Sequence, residues 1–262
     1  MKLAAQMYTV HDFTKNLEDF EMSLKRIAEI GYKYVQVSGT CAYEADWLKE
    51  KLDKYGLKCC ITHIAPDKLL NETEHVIDEH NTFDCKYIGI GALPNIWDKE
   101  TPRDKAVNDF VNNYTSVAKK FKDAGKYFMY HNHHFEFEHG KESGKLMMDR
   151  LINEIDPELM GFTVDTYWVQ YGGVNPATLI KRLKGRCPVV HFKDYAIDIS
   201  DESSCVHMAA CGSGNLDFKE IIEACEYAGT EFVCVEQDNC YGEDPFACLE
   251  RSYKYLKELG LE

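Results

Sequence analysis

The chain has 262 residues and a formal charge of -14, with 30 Lys and Arg against 44 Asp and Glu. That balance argues against nucleic acid as the main partner, because neutralising phosphates requires a surplus of Lys and Arg. A hydrophobic content of 45% is ample for a buried core, and no apolar run approaches the roughly 18 residues of a membrane span.

The N-terminal stretch MKLAAQMYTV lacks the apolar core and small-residue cleavage site of a signal peptide. Eleven cysteines without a C-x-x-C pair fit neither full disulfide pairing nor zinc-ligand spacing. They read as small buried hydrophobes in a reducing, cytoplasmic compartment.

Short apolar runs alternate with helical periodicity along the whole chain. The first run, 2–7, is followed by a helix over 17–30, with Leu17, Phe20, Leu24, Ile27 and Ala28 on one face and Gly31 at its end. Runs at 34–37 and 57–64 precede helices over 45–55 and 72–83. The fourth run, 87–90, leads to a long helix from Pro102, a residue suited to a first turn, to Ala124. The fifth run, 126–131, is followed by a loop over 136–144 and a helix over 145–155. The sixth, 161–166, precedes a helix that starts at Asn175-Pro176, a cap followed by a first-turn proline. The seventh, 188–193, is followed by an irregular insertion over 195–215 and then by Asp217 and Glu220 at capping-box spacing. The eighth run is 231–236, and the last helix spans 245–259.

Eight strand–helix units in strict order predict a parallel sheet, and eight is the number that closes a (β/α)8 barrel. No linker interrupts the series, so residues 1–262 read as a single domain. The competing open, doubly wound sheet lacks its G-x-G-x-x-G fingerprint after the first strand.

Parallel strands bring their C-terminal ends to one face, where barrel enzymes do their chemistry. Asp165 in GFTVDT, His191 in CPVVHFKD and Glu236 in FVCVEQD each end an apolar run at that face. A charged group there needs a partner or a cation. Two carboxylates and an imidazole suit one divalent metal ion: Mn2+, Mg2+, Co2+ or Zn2+. The alternative for any one of them is a capping role, such as Asp165 bonding to nearby backbone.

The fifth run ends in YHNHHFE. Alternation puts His131 and His133 on one side, for ligation or proton transfer; Glu136 could return towards the pocket if the chain stays extended, although alternation then gives it the face of His134. His134 and His139 read as solvent-exposed. His63 ends the third run as a pocket acid or base, or as a rim histidine. Lys193, two residues past His191, faces the same way and could neutralise an enolate oxygen, or else pair with Asp194. Gln6, Tyr8, Gln237 and Asp238 are candidates for hydrogen bonds to sugar hydroxyls. Trp97, Tyr167 and Trp168 offer stacking surfaces for a sugar ring. Gly212-Ser213-Gly214-Asn215 before a helix has the composition of a phosphate cradle or of a plain turn.

AAQMYTV, THI, YHNHHFEFE, GFTVDTYWVQYGG, VVHFKD, GSGNLDF and VEQD occur in that order. The series resembles the sugar phosphate isomerase/epimerase family, with its xylose isomerase-like TIM barrel, over nearly the whole chain. The resemblance implies one divalent metal held by Asp165, His191 and Glu236 and a small-molecule sugar substrate. It further implies isomerisation or epimerisation through an enediolate, with Glu236 or a histidine removing the proton. Many members carry a glutamate as ligand and base at the end of strand five, where this chain has His131. Either His131 or Glu136 would then complete the shell. Relatives with a histidine-rich strand five are linked to 3-keto sugars and 3-keto-glycosides, which makes a lyase expelling the aglycone the main rival. A non-catalytic sugar-binding barrel and a barrel endonuclease acting on DNA are weaker rivals, the latter opposed by the charge. Self-association is compatible with the sequence.

Overall fold

The computed structural model describes residues 1–200 and 204–262. The barrel strands are β1 (Lys2–Gln6), β2 (Tyr34–Val37), β3 (Lys58–His63), β4 (Tyr87–Ile90), β5 (Tyr127–His131), β6 (Met160–Asp165), β7 (Val189–Phe192) and β10 (Phe232–Val235). They close in the order β1-β10-β7-β6-β5-β4-β3-β2, and every neighbouring pair is parallel. This is the expected single (β/α)8 barrel.

Helices α1 (Leu17–Ile30), α2 (Ala45–Tyr55), α4 (Thr73–Thr82), α5 (Arg103–Asp123), α6 (Met147–Glu154), α8 (Pro176–Arg182), α9 (Phe218–Ala228) and α10 (Pro245–Glu258) follow the periodicity closely. Their ends are set by local chemistry. Asn175 caps α8 by accepting from the Thr178 N–H, and Asp217 caps α9 by accepting from Lys219 and Glu220. Gly229, at φ 82°, closes α9 in the left-handed region that side chains avoid.

Some elements go beyond those that the sequence predicts. A short helix α3 (Pro66–Asn71) precedes α4, and α7 (Thr166–Tyr171) starts directly after β6. The insertion at 195–215, of which 201–203 lie outside the described residues, contains an antiparallel hairpin of β8 (Asp194–Ile197) and β9 (Val206–Ala209).

The barrel interior is layered. Ala4, Cys60, Tyr87, Met129, Val189, Phe232 and Cys234 form a buried apolar cluster inside the barrel. One step towards the C-terminal ends, the inward residues become Gln6, Gln36, His63, His131, Asp165, His191 and Glu236; on β3 a register shift against β2 makes His63 follow Ile61 and not Cys60. On β4 this position falls to Gly89, where an added Cβ would stand 2.7 Å from the His63 ring and 2.8 Å from the Thr62 carbonyl oxygen. The glycine is what lets His63 turn inward. Outward residues such as Phe128 and Tyr130 pack on Phe110 of α5, and each such aromatic contributes on the order of 2 kcal/mol by leaving water.

Candidate active site

Asp165 takes the capping position and also turns a carboxylate oxygen into the barrel. Its Oδ1 accepts from the Trp168 N–H at 3.0 Å and so caps α7, while Oδ2 turns into the barrel. There it lies 3.4 Å from His131 Nε2, 3.8 Å from His191 Nδ1 and 3.0 Å from Lys193 Nζ. Glu236 Oε2 is 2.8 Å from His191 Nδ1 and 3.0 Å from the same ammonium. Candidate ligand atoms of His131, Asp165, His191 and Glu236 all lie within 4.8 Å of one another, and all four residues are buried.

The ring nitrogens are arranged for ligation. His131 Nδ1 donates to the Gly91 carbonyl oxygen at 3.0 Å, which turns the Nε2 lone pair towards Asp165. His191 Nε2 donates to Gln36 Oε1 at 2.6 Å, which turns Nδ1 towards Glu236. His191 Nδ1 and Glu236 Oε2 are buried and have no hydrogen-bond partner despite their closeness. Two imidazole nitrogens and two carboxylates converging on one point call for positive charge between them; a proton on His191, favoured by Glu236 and Asp165, supplies it here, and a divalent ion can take its place, so the residues fit a divalent metal. Their mix of nitrogen and oxygen suits borderline and hard first-row ions alike.

Lys193 is fully buried, and its ammonium also meets Asp238 at 2.9 Å. Thr166 braces it, accepting from the Lys193 N–H and donating to its carbonyl oxygen. Burial disfavours the ammonium, but Asp165, Asp238 and Glu236 together hold it above the usual lysine range. Burial likewise opposes charge on His191, and Glu236 and Asp165 overcome it, raising the ring to about 10. His63 and His133 lack a carboxylate this close, and burial followed by the neighbouring His131 pushes both well below the ordinary histidine range.

The cluster lies at the base of a cavity of about 570 Å3. Gln6, His63, His131, His133, Trp168, Lys193, Glu236 and Asp238 all reach its wall, with Trp97 at the rim. An adjoining cavity of about 680 Å3 shares Asp238 but has no such convergence of donors, so volume does not identify the site.

Several expectations fail here for definite reasons. Glu136 does not reach the cavity. After β5 the chain turns through Phe135–Phe137, and the Glu136 carboxylate is held behind the strand by the Tyr130 hydroxyl and the His133 N–H. It therefore takes no part in the cluster, whose fifth-strand member is His131. Gln237 faces away, its N–H on Thr9 and its side-chain amide on the Asn239 carbonyl. His134 is half-buried against Trp168 and Tyr171. Tyr167 is buried behind Trp168. Lys193 does not pair with Asp194, whose carboxylate accepts from the Gly212, Gly214 and Leu216 N–H groups. That carboxylate fills the glycine-rich turn offered as a phosphate cradle. Gln36 and Ser38, at the end of β2, belong to the polar layer and were not singled out in the sequence. The polar glutamine in YVQV, on the inward alternation, was the available signal.

A closed barrel with acids and imidazoles converging at the C-terminal ends of its strands has the architecture of a barrel enzyme. Residues 24–259 match the xylose isomerase-like TIM barrel family, and the chain belongs to it. It is 25% identical to the inosose dehydratase of Lacticaseibacillus casei over 90% of this chain and 88% of that one. A sugar phosphate isomerase/epimerase from Parabacteroides distasonis superposes with a TM-score of 0.81 at 21% identity, over 99% of this chain and 94% of that one. The IOLI protein, whose crystal structure has a bound zinc atom, superposes with a TM-score of 0.69 at 15% identity, over 99% of this chain and 98% of that one.

Proposed function

We propose that the protein is a metal-dependent lyase that removes water from a polyhydroxylated ring ketone, of the kind that inosose dehydratases act on. His131, Asp165, His191 and Glu236 would hold the ion. When bound, a divalent cation polarises the substrate ketone and stabilises negative charge on its oxygen. Lys193 adds a fixed positive charge beside the same place. Trp97 and Trp168 give the ring a face to rest on, and Gln6 and Asp238 meet its hydroxyls.

The single observation that carries the choice of elimination is the supply of free proton carriers in the wall. Glu236 and Asp165 are engaged in the cluster, Lys193 is held charged by three carboxylates, and Glu136 is absent from the cavity. Two imidazoles remain, His63 and His133; the Nε2 of His63 faces the Gln36 amide at 3.0 Å, whereas His133 has its ring stacked on Phe135 and no hydrogen bond to its buried Nδ1. One imidazole suffices for a same-face elimination. The proton beside the ketone passes to His133, and its C–H electron pair forms the C=C bond. The neighbouring C–O bond breaks, and the departing oxygen takes the proton back from His133 and leaves as water.

An isomerase or epimerase, the reading that the sequence favoured, begins with the same proton removal. It then returns the proton to carbon, at a second position or face. A 3-keto-glycoside lyase would expel an alcohol in place of water. The test is incubation of zinc-, manganese- or cobalt-loaded protein with inosose and, separately, with a 3-keto-glucoside, followed by mass spectrometry. A product one water lighter from inosose is expected, with His133→Gln slower by roughly a hundredfold or more. An unchanged mass with a new stereoisomer, or a released aglycone from the glucoside alone, overturns the dehydratase reading.

A further inference from the structure

Gln36 is completely buried and joins two histidines that the barrel brings together from opposite sides. Its Oε1 is 2.6 Å from His191 Nε2, and its Nε2 is 3.0 Å from His63 Nε2 and 3.1 Å from Ser38 Oγ. Ser38 Oγ also accepts from the His63 backbone N–H, at 3.1 Å, so one hydroxyl anchors both the amide and the strand end that carries the ring.

An amide has fixed polarity: its oxygen only accepts and its nitrogen only donates. With the oxygen on His191, that ring carries its proton on Nε2 and presents Nδ1 to the metal cluster. With the nitrogen on His63, the His63 Nε2 must be the acceptor. A neutral His63 then carries its proton on Nδ1. That nitrogen has no hydrogen-bond partner among the described residues. His63 lines the cavity, and its Nδ1 edge passes beside Gly91, 3.5 Å from where a Cβ would stand.

We infer that Gln36 is a positioning residue that fixes His63 as the Nδ1–H tautomer, making His63 a neutral hydrogen-bond donor to the substrate oxygen that gains negative charge, and not a base. The catalytic half of this inference rests on the enolate-forming reaction proposed above; the ring state does not. A neutral donor aimed at a developing oxyanion stabilises charge without moving a proton. It also leaves proton transfer to His133. The same amide couples the two roles, since the orientation that sets its oxygen on His191 Nε2 also sets its N–H on His63 Nε2, which then cannot hold a proton.

The ring state can be read without substrate. In zinc-loaded protein with 15N-labelled histidine, long-range proton–nitrogen correlation spectra, assigned with a His63→Asn variant, are expected to show His63 protonated at Nδ1 and bare at Nε2. In Gln36→Glu both carboxylate oxygens accept, so the His63 proton should move to Nε2 while zinc remains at one ion per chain. Gln36→Met, which supports neither bond, should give a mixture of the two forms. A wild-type His63 protonated at Nε2, or a pattern unchanged in both variants, overturns the inference. With a substrate turned over by the wild type, Gln36→Glu is expected to lower kcat about 10- to 100-fold, with KM little changed. An unchanged kcat in a variant whose tautomer has inverted overturns the donor role. Absence of any turnover of inosose counts against the proposed reaction, and the spectra still decide the role of Gln36.

Discussion

Two buried charge clusters in this barrel are built on opposite principles. Between α5 and α6, Arg150 is surrounded by acceptors: Asp104 Oδ1 and the Asp104 carbonyl oxygen at 3.1 Å, Asn108 at 2.6 Å, and both oxygens of Glu154. The other Asp104 oxygen accepts from the Glu142 and Ser143 N–H groups. Every group there is answered within the protein. At the mouth of the barrel one ammonium, Lys193, faces three carboxylates, and His191 Nδ1, Glu236 Oε2 and Asp238 Oδ1 lack hydrogen bonds. A satisfied cluster is scaffold, whereas one left in deficit is complete only with something from outside.

The sharpest way to break the contrast is Asp165→Ala. It removes the carboxylate at the centre of the deficit. Bound metal should fall from about one equivalent to none by elemental analysis, and turnover by roughly a thousandfold, since an ion's charge stabilisation is worth several kcal/mol. The circular dichroism spectrum should be unchanged. Full metal retention would place the ion elsewhere.

Arg150→Ala should do the reverse. Removing the guanidinium leaves Asp104 Oδ1 and the Asp104 carbonyl oxygen without their donor, at a cost of about 1–3 kcal/mol. The denaturant midpoint should fall accordingly, with activity per folded molecule and metal content retained. A loss of metal in this variant would erase the distinction between the clusters.

Glu136 sharpens the comparison as an intermediate case, hydrogen-bonded but without a cation. Burial raises its carboxyl from 4.5 to about 7, against the opposing bonds from Tyr130 and His133. The folded value lies above the unfolded one. The stability that this group contributes is therefore fully present below about pH 4.5 and lost as pH rises to about 7. The loss is on the order of 3 kcal/mol. Melting temperatures across that range, wild type against Glu136→Gln, should differ in slope and run parallel above it. Parallel curves throughout would mean that the carboxyl is not held protonated.

The sequence revealed the eight units, because each couples an apolar run to a helical period and a glycine or proline stop. It also revealed Asp165, His191 and Glu236, because a charged residue at the end of an apolar strand is conspicuous in one dimension. The order of motifs from AAQMYTV to VEQD likewise pointed to the family that the chain belongs to. Gln36 stayed hidden because the glutamine in YVQV marks only a polar inward position, and its partner His191 is 155 residues away. Glu136 was offered for the shell because the family resemblance calls for a carboxylate on strand five; alternation alone gives it the face of His134, and the turn after β5 holds it behind the strand.

The Asp194 carboxylate in the glycine-rich turn has a further consequence. The loops after the seventh and eighth barrel strands often hold a substrate's phosphate in this architecture. Here the Gly212 and Gly214 N–H groups lie 2.9 and 2.8 Å from Asp194 Oδ2, and a side chain on Gly214 would collide with that carboxylate. The turn thus carries its own tethered anion, present at an effective concentration that a dissolved phosphate does not approach. A phosphorylated sugar would find this berth taken.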